Sequence, residues 1–318
     1  MKNIIFVGTK DFASYILEKM IKKKYNIRLC ITKNDKNMGR GLKKLPHPVK
    51  ITSLKYNIQT LTTDNINNDE IIIKNLNPEI IIVTEYFEKI KNNIIKIPKY
   101  GIISIHPSLL PNLRGSTPIQ SAIIHRLDKT GVSIIKINED YDKGNILNSE
   151  ICKINKNETY DSLVIKLKKK SVKLLSKTLN EIKGNRCKEI KQLIEDKIKT
   201  TKLKKDFYLI NWDNEASLIN SKIRSTFSIA KHHSFIENNY INIIETTVLK
   251  KPAYIKYIPG TIIKKNNNGI DVQTGSGILR IKKLQFPGKK INIIKDVLNS
   301  KSYLFKIGNT FKNKLEKK

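Results

Sequence analysis

The sequence has few cysteines and no long hydrophobic run. Its three cysteines, Cys30, Cys152 and Cys187, are odd in number and far apart, which excludes a disulfide framework and favours a reducing cytoplasm. No apolar run approaches the roughly 18 residues of a transmembrane helix, so no membrane partner is expected. The apolar run that follows residues 1–3 is too short for a signal peptide.

Arginine and acidic residues are scarce in a chain with this much positive charge. There are 7 arginines beside 54 lysines, and the net charge is +33. Residues 151–318 carry +23 of that charge and residues 1–150 carry +10. A polyanion would be attracted to such a surface, so the second half is the better candidate for binding nucleic acid. Charge alone leaves open a lysine-rich solvated surface that has no such partner.

The first part of the chain has the pattern of an α/β domain. The length of 318 residues suits two domains of ordinary size. Short apolar runs alternate with helical patterns, and they lie at residues 3–8, 27–31, 80–84 and 102–106. Continuous apolar strands between helices predict a Rossmann-like, mostly parallel sheet that is covered on both faces. A last helix is predicted at 159–179, and we place this domain at residues 1–180.

The second part has the pattern of a small β-domain behind a linker. Residues 181–206 are charged and lack a strong period, which predicts a basic linker. Short strand-like segments separated by turns follow at residues 240–249, 260–265, 269–273 and 277–284. This pattern predicts a small antiparallel, OB-like β-barrel at residues 207–318.

The densest cluster of candidate functional residues runs from His106 to Ile119. His106 closes an apolar strand at its carboxyl end, which is where ligands bind in open α/β sheets. Pro107 and Pro111 stiffen the following loop, and a rigid backbone suits a flat heterocycle with many donors and acceptors. Asp142 lies in a glycine-containing loop, from which its carboxylate could orient the imidazole. Spacing alone names no reaction.

Two further classes of protein are disfavoured. The remaining histidines have no Cys/His spacing of a zinc site, so no metal is expected; they are His47, His125, His232 and His233. Gly8 is not followed by a dinucleotide-binding fingerprint, which argues against a nicotinamide enzyme.

Short motifs in order along the chain resemble the folate-dependent formyltransferases. The main ones are Gly8-Thr9, Asp11-Phe12-Ala13, Ser108-Leu109-Leu110-Pro111, Arg114-Gly115, Pro118-Ile119, Thr130-Gly131-Val132, Asp142-x-Gly144, Ile210-Asn211-Trp212 and Pro287-Gly288-Lys289-Lys290. Gly39-Arg40-Gly41 resembles an inserted loop that is peculiar to the members acting on tRNA. The resemblance covers nearly the whole chain.

This resemblance implies a reaction and a set of residues. The formyl group of 10-formyltetrahydrofolate would be transferred to the methionyl amine of initiator methionyl-tRNA. His106 and Asp142 would be catalytic, with the histidine stabilising charge on the formyl oxygen or managing the proton. Four residues would bind the folate, namely Ser108, Leu109, Leu110 and Pro111. Three basic residues would bind the tRNA, namely Arg40, Lys202 and Lys205. The expected state is a monomer.

Some positions depart from the family pattern. Ser104 stands where the family has an asparagine thought to bind the developing oxyanion, and the loss of one oxyanion donor can cost about 100–1,000-fold in rate. Lys10 replaces a proline. Phe87 replaces a glycine and lies near the expected folate crevice, and no Asn-Pro-Trp-Pro follows Arg224.

Three other functions stay open. The acceptor could be a small molecule, such as glycinamide ribonucleotide or an amino-sugar nucleotide, although neither explains the Arg40 loop together with the basic linker. Ser104 would suit a tRNA-binding protein that has lost catalysis, against which the retention of His106 and Asp142 argues. The third alternative is a basic α/β protein without a polyanion partner.

Overall fold

A computed structural model describes residues 1–38, 43–193, 195, 197–250 and 257–313. The chain divides into two compact units. The first unit consists of residues 1–118, 128–153 and 164–201, and the second of residues 119–127, 154–163 and 202–318. Within the described ranges, no helix is both long and apolar enough to cross a membrane.

The first unit is built on a seven-stranded sheet. The strands of this unit are β1 (Ile4–Gly8), β2 (Ile27–Thr32), β3 (Lys36–Met38), β4 (Lys43–Leu45), β5 (Thr60–Thr62), β6 (Ile80–Thr84), β7 (Ile102–His106), β8 (Arg114–Gly115), β9 (Lys129–Lys136), β10 (Ile146–Lys153) and β11 (Lys199–Thr200). The sheet has the order β10-β9-β7-β6-β1-β2-β5. The pairs β5–β2, β2–β1, β1–β6 and β6–β7 are parallel, whereas β9 pairs antiparallel with β7 and with β10. The predicted mostly parallel sheet is therefore confirmed.

The central strands form from isoleucine-rich runs that lose contact with water on both faces. Every residue of β1 and β6 is buried, so these strands are continuously apolar instead of alternating. The predicted runs at 80–84 and 102–106 coincide with β6 and β7. Together with β1, these strands bring their carboxyl ends to one edge of the sheet, where the candidate site lies.

Eight helices occur in the described part of the chain. They are α1 (Asp11–Lys22), α2 (Pro48–Lys55), α3 (Glu70–Asn75), α4 (Asn92–Ile95), α5 (Pro118–Ile124), α6 (Tyr160–Lys183), α7 (Ala216–Ser225) and α8 (Ile294–Lys301). The helix predicted at 159–179 is α6, which continues for four more residues. Its apolar positions Leu163, Leu167 and Leu175 are buried, as the helical period requires.

The second unit contains an all-antiparallel sheet. Its strands are β12 (His232–Ile236), β13 (Asn239–Leu249), β14 (Ile262–Asn266), β15 (Gly269–Gln273), β16 (Ile278–Gln285) and β17 (Asn292–Ile293). The order is β12-β13-β16-β15-β14, and β17 pairs with β16. Backbone bridges from Thr310 to Thr261 and from Lys312 to Phe235 connect the last described segment to residues at or beside the two outer strands. Trp212, Phe305 and Phe311 are buried in the core of this unit.

The segment predicted to be a linker makes backbone pairs within the first unit. Ile190 and Ile146 exchange hydrogen bonds of 2.8 and 2.9 Å, and β11 pairs in parallel with β8. In the second unit, the segment that starts at residue 202 first forms a 3-10 helix at Lys205–Tyr208. We call the described residues 190–193 and 197–201 the strap.

Candidate active site

His106 and Asp142, which the sequence analysis paired, face each other in the structure. β7 ends at His106, whose side chain is buried. Its Nδ1 lies 3.6 Å from Asp142 Oδ1, and its Nε2 lies 3.2 Å from the carbonyl oxygen of Leu113. Both ring nitrogens therefore face oxygen atoms, a carboxylate at Nδ1 and a backbone carbonyl at Nε2.

The carboxylate of Asp142 is oriented by a backbone amide. Its Oδ2 accepts a hydrogen bond of 3.0 Å from the N–H of Gly115, which leaves Oδ1 directed at the imidazole. The separation of 3.6 Å suits an ion pair and is longer than a hydrogen bond. Contacts between catalytic groups are often this long before the substrate binds.

A crevice that is open to solvent reaches Asp142 along the edge of the sheet. Val83, Ile90 and Ile135 provide apolar lining, and Tyr141 and Asp142 are among its polar lining residues. Ser104 also lines this crevice, two residues before His106 on β7. Successive residues of a strand alternate between faces, so Ser104 and His106 share one face of the sheet.

Tyr86 is a neutral part of the crevice wall. Burial raises the pKa of Tyr86 to about 12, and its hydroxyl oxygen accepts a hydrogen bond of 3.2 Å from the N–H of Ile66. The crevice therefore combines apolar side chains and an aromatic ring with polar groups. That composition suits a flat heterocycle with several hydrogen-bonding groups.

The four residues predicted to bind folate lie in the loop after β7. Ser108 is fully buried and donates to the carbonyl oxygen of Asn112 at 2.7 Å, while the N–H of Leu110 donates to Ser133 Oγ at 3.0 Å. None of Ser108, Leu109, Leu110 and Pro111 is among the described residues that line the crevice. Their visible role is to shape the loop that leads to Leu113, and their contact with folate stays a prediction.

The N-terminus of α1 is occupied by a carboxylate from the same chain. Glu85 follows β6, and its Oε2 accepts hydrogen bonds from the N–H groups of Phe12 at 3.0 Å and Ala13 at 3.1 Å. Burial raises the pKa of Glu85, whereas those two N–H groups lower it. Because these amides are already bound, they are not free to bind a phosphate group at the first turn of α1.

Two departures from the family pattern contact each other. The Nζ of Lys10 lies 4.7 Å from the centre of the Phe87 ring, a cation–π distance. Tyr141, which lines the crevice, donates its hydroxyl hydrogen to the carbonyl oxygen of Phe87 at 3.1 Å. Lys10 and Phe87 are 77 residues apart in the sequence, so no local pattern could have predicted their contact.

The described residues offer neither a metal cluster nor an activated thiol at this edge. No group of three His, Cys, Asp or Glu side chains among them could hold a metal ion. Burial raises the pKa of the Cys30 thiol to about 12, so this thiol stays protonated. The chemistry that the arrangement supports is acid–base and electrostatic.

The residues predicted to bind tRNA are only partly visible. Arg40 lies outside the described residues. Lys202 and Lys205 are exposed and lie in the second unit. Their role in binding tRNA stays a prediction.

Sequence reasoning missed most of the contacts that hold His106 and Asp142 in place. Leu113 contacts His106 through its carbonyl oxygen, and no motif marks it. Gly115 belongs to the Arg114-Gly115 motif, but its N–H bond to Asp142 was not predicted. Gln192 donates to the carbonyl oxygen of Asp142 from the predicted linker, where no motif marks it.

Sequence models of two related families match the chain in order. The one described as "Formyl transferase" matches residues 1–179, and the one described as "Formyl transferase, C-terminal domain" matches residues 202–302. Among solved structures, WlaRD, a sugar 3N-formyl transferase studied with dTDP and 5-N-formyl-THF, has a TM-score of 0.62 and 21% identity, covering 91% of this chain and 99% of that chain. HypX from Aquifex aeolicus in complex with tetrahydrofolic acid has a TM-score of 0.62 and 13% identity, covering 93% and 46%. These structural likenesses show a shared fold.

Curated relatives match over nearly their full lengths. The methionyl-tRNA formyltransferase of Buchnera aphidicola subsp. Schizaphis graminum (strain Sg) is 37% identical over 308 residues, which cover 96% of this chain and 98% of the relative. That of Thermotoga maritima is 31% identical over 296 residues, which cover 90% and 91%. Since the family models agree with these relatives across both halves, the chain belongs to the formyl transferase family.

Proposed function

We propose that this protein transfers the formyl group of 10-formyltetrahydrofolate to the amino group of initiator methionyl-tRNA, in the cytoplasm where that tRNA is used. The observation that carries the proposal is the pairing of His106 with Asp142 at the carboxyl edge of the sheet, beside the crevice. Full-length relatives that are methionyl-tRNA formyltransferases support the choice of acceptor.

The crevice fits the folate by composition. Ile90, Val83 and Tyr86 would pack against the flat heterocycle, and polar lining residues such as Tyr141 would meet its hydrogen-bonding groups. When bound, the folate supplies the formyl carbon. Ser108 to Pro111 would support this site from the loop after β7, as the family resemblance implies.

His106 is placed to stabilise charge and to handle a proton. As the methionyl amine adds to the formyl carbon, negative charge develops on the formyl oxygen, and a protonated imidazole beside it lowers the energy of that state. Asp142 holds the ring through Nδ1 and is partly exposed, so it can accept the proton lost by the amine. That proton would pass through water to the folate nitrogen as its bond to the formyl carbon breaks and tetrahydrofolate leaves. Neither step needs a covalent intermediate on the enzyme.

Ser104 supplies the remaining donor of the site. It lines the crevice on the same face of β7 as His106. Its hydroxyl can donate one hydrogen bond to the developing oxyanion, but it is shorter than the amide of asparagine. We therefore propose a weaker oxyanion contact here than an asparagine would give.

Basic residues would hold the tRNA. Residues 202–318 contain 23 basic and 8 acidic side chains, a strongly positive balance for a polyanion. Lys202 and Lys205, both exposed at the start of this region, would contact backbone phosphates. Arg40 would act near the acceptor end that carries the methionyl amine.

The test is a panel of acceptors assayed with the purified full-length protein and 10-formyltetrahydrofolate. The acceptors are initiator methionyl-tRNA, glycinamide ribonucleotide and a dTDP-amino sugar, and mass spectrometry identifies the formylated product. We expect N-formylmethionyl-tRNA as the main product. Formylation of a small acceptor in preference to the tRNA would contradict the proposal.

Two histidine variants show whether the product comes from this site. His106→Ala should lower the formylation rate by about 1,000-fold or more, whereas His125→Ala, at an exposed histidine outside the site, should behave as the unmodified protein does. Equal activity of both variants would assign the reaction to another part of the molecule or to a contaminant.

A further inference from the structure

We propose that Gln192 is a positioning residue for formyl transfer, which holds the loop of Asp142 so that the carboxylate faces His106. The inference rests on the proposed function, because it takes His106 and Asp142 as the catalytic pair. It assigns a catalytic consequence to the strap, whose charged composition suggested only a linker.

Gln192 uses both hydrogens of its amide on the loop of Asp142. Its Nε2 donates to the carbonyl oxygen of Asp142 at 2.9 Å and to that of Gly144 at 2.7 Å. The side chain is 5% exposed, so water does not compete freely for these two acceptors. A single buried amide therefore ties down the residues on both sides of Lys143.

The backbone conformation of Asp142 needs such hydrogen bonds to hold it. Its φ of +53° lies in the left-handed region, which residues with a side chain rarely adopt unless neighbouring contacts hold them there. On the other side, a Cβ at Gly144 would lie 1.7 Å from the carbonyl oxygen of Lys136, so the loop is pressed against β9. With Gln192 bound to its carbonyl groups, the loop is fixed from both directions.

The strap also positions residues 113–115, which contact His106 and Asp142. The N–H of Leu113 donates to the carbonyl oxygen of Ile198 at 2.8 Å, and β11 pairs with β8. A Cβ at Gly115 would lie 2.1 Å from the carbonyl oxygen of Thr200, so the two chains can approach this closely only at a glycine. Leu113 contacts His106 and Gly115 contacts Asp142, so the strap supports both catalytic side chains.

Gln192→Met tests the role of the amide, because methionine keeps the length of the side chain but donates nothing. With initiator methionyl-tRNA, we expect kcat to fall by about 10- to 100-fold, since a small displacement of a catalytic group has effects of this size. The KM values for the tRNA and the folate should change by about twofold or less, since neither substrate contact is removed. Gln59→Met, the same substitution at an exposed glutamine of the first unit, should leave both constants unchanged.

The same substitution in the Asp142→Ala protein distinguishes positioning of the carboxylate from stabilisation of the fold. Gln192 binds the main chain of Asp142, so Asp142→Ala retains those hydrogen bonds but removes the carboxylate that they position. In the Asp142→Ala protein, Gln192→Met should therefore lower the residual rate by about twofold or less, while its effect on the thermal midpoint persists. An equal fold-loss of rate in both backgrounds would overturn the positioning role.

Gln192→Asn covers the case in which the methionine variant does not fold. It keeps the amide but is one methylene shorter, so kcat should lie between those of the unmodified protein and Asp142→Ala. An unchanged kcat in a folded Gln192→Asn or Gln192→Met protein would overturn the inference. An unmodified protein that forms no N-formylmethionyl-tRNA would instead contradict the proposed function.

Discussion

Around His106, contacts come from a few directed groups that lie far apart in the sequence, whereas the region after residue 201 is distinguished by its many lysines. The imidazole faces Asp142 at 3.6 Å and the carbonyl of Leu113 at 3.2 Å, each from a different segment. In residues 202–318, 23 basic side chains oppose 8 acidic ones. Displacing one directed group should impair turnover, but removing one lysine among many should affect binding slightly.

The largest effect should come from breaking the catalytic pair. His106→Ala and Asp142→Ala should each lower kcat by about 1,000-fold or more, because they remove charge stabilisation and proton transfer from the same step. The double variant should be little worse than the poorer single variant, since residues that act as one unit are not additive. Steady-state formylation of initiator methionyl-tRNA measures all three, and two independent, multiplying losses would argue against the pairing.

An intermediate effect is expected at Ser104, where the directed contact is already weak. Ser104→Ala should lower kcat by about tenfold, since it removes the last donor at this position. Ser104→Asn should raise kcat above that of the unmodified protein, because the longer amide reaches further into the crevice. If serine, alanine and asparagine supported equal rates, Ser104 would have no part in the mechanism.

A smaller effect is expected from two of the lysines. Neutralising Lys202 and Lys205 together should weaken tRNA binding by about tenfold at low salt and reduce the salt dependence, because phosphate contacts release counterions. Titrations with initiator and elongator tRNA at several salt concentrations should show the same loss for both. Neutralising Lys264 and Lys295, exposed lysines elsewhere in the second unit, matches the charge change and should cost less.

The smallest effect concerns stability in acid. Burial, together with the charge of Lys222, lowers the pKa of His232 to about 3, whereas in the unfolded chain it is about 6.5. The neutral ring thus stabilises the fold above about pH 6.5, and that contribution is lost as the pH falls towards 3.

Thermal unfolding at several pH values tests this contribution. Between pH 7 and pH 5 the midpoint should fall by about 5 °C, and His232→Phe should reduce that fall because phenylalanine carries no proton. Phe207 and Tyr208, which pack against His232, favour an aromatic replacement. His125→Phe, at an exposed position, should leave the acid sensitivity unchanged.

The fold was predictable where a local pattern decides the structure. The isoleucine runs at 80–84 and 102–106 became β6 and β7, because a run that is apolar on both faces is stable only inside a covered sheet. His106 was predictable for the same reason, since it ends such a run. Asp142 followed from its glycine-containing loop and from the family resemblance.

The rest depends on contacts that no local pattern encodes. Lys10 and Phe87 each depart from the family pattern, and only the structure shows that they form a cation–π contact. Gln192 stands among charged residues whose composition resembles a linker, although its amide is buried against the loop of Asp142. Leu113 acts through a carbonyl group that every residue has, so only the structure identifies it. Gly115 was marked by its motif, but its contact with Asp142 was not.

A single-turnover assay tests the central claim most directly. Excess protein is mixed with 10-formyltetrahydrofolate and labelled initiator methionyl-tRNA, and the formation of N-formylmethionyl-tRNA is followed in the unmodified, His106→Ala and Asp142→Ala proteins. The account predicts rapid, complete formylation by the unmodified protein and a rate lower by about 1,000-fold in both variants. No formylated product from the unmodified protein, or equal rates in all three, would contradict it.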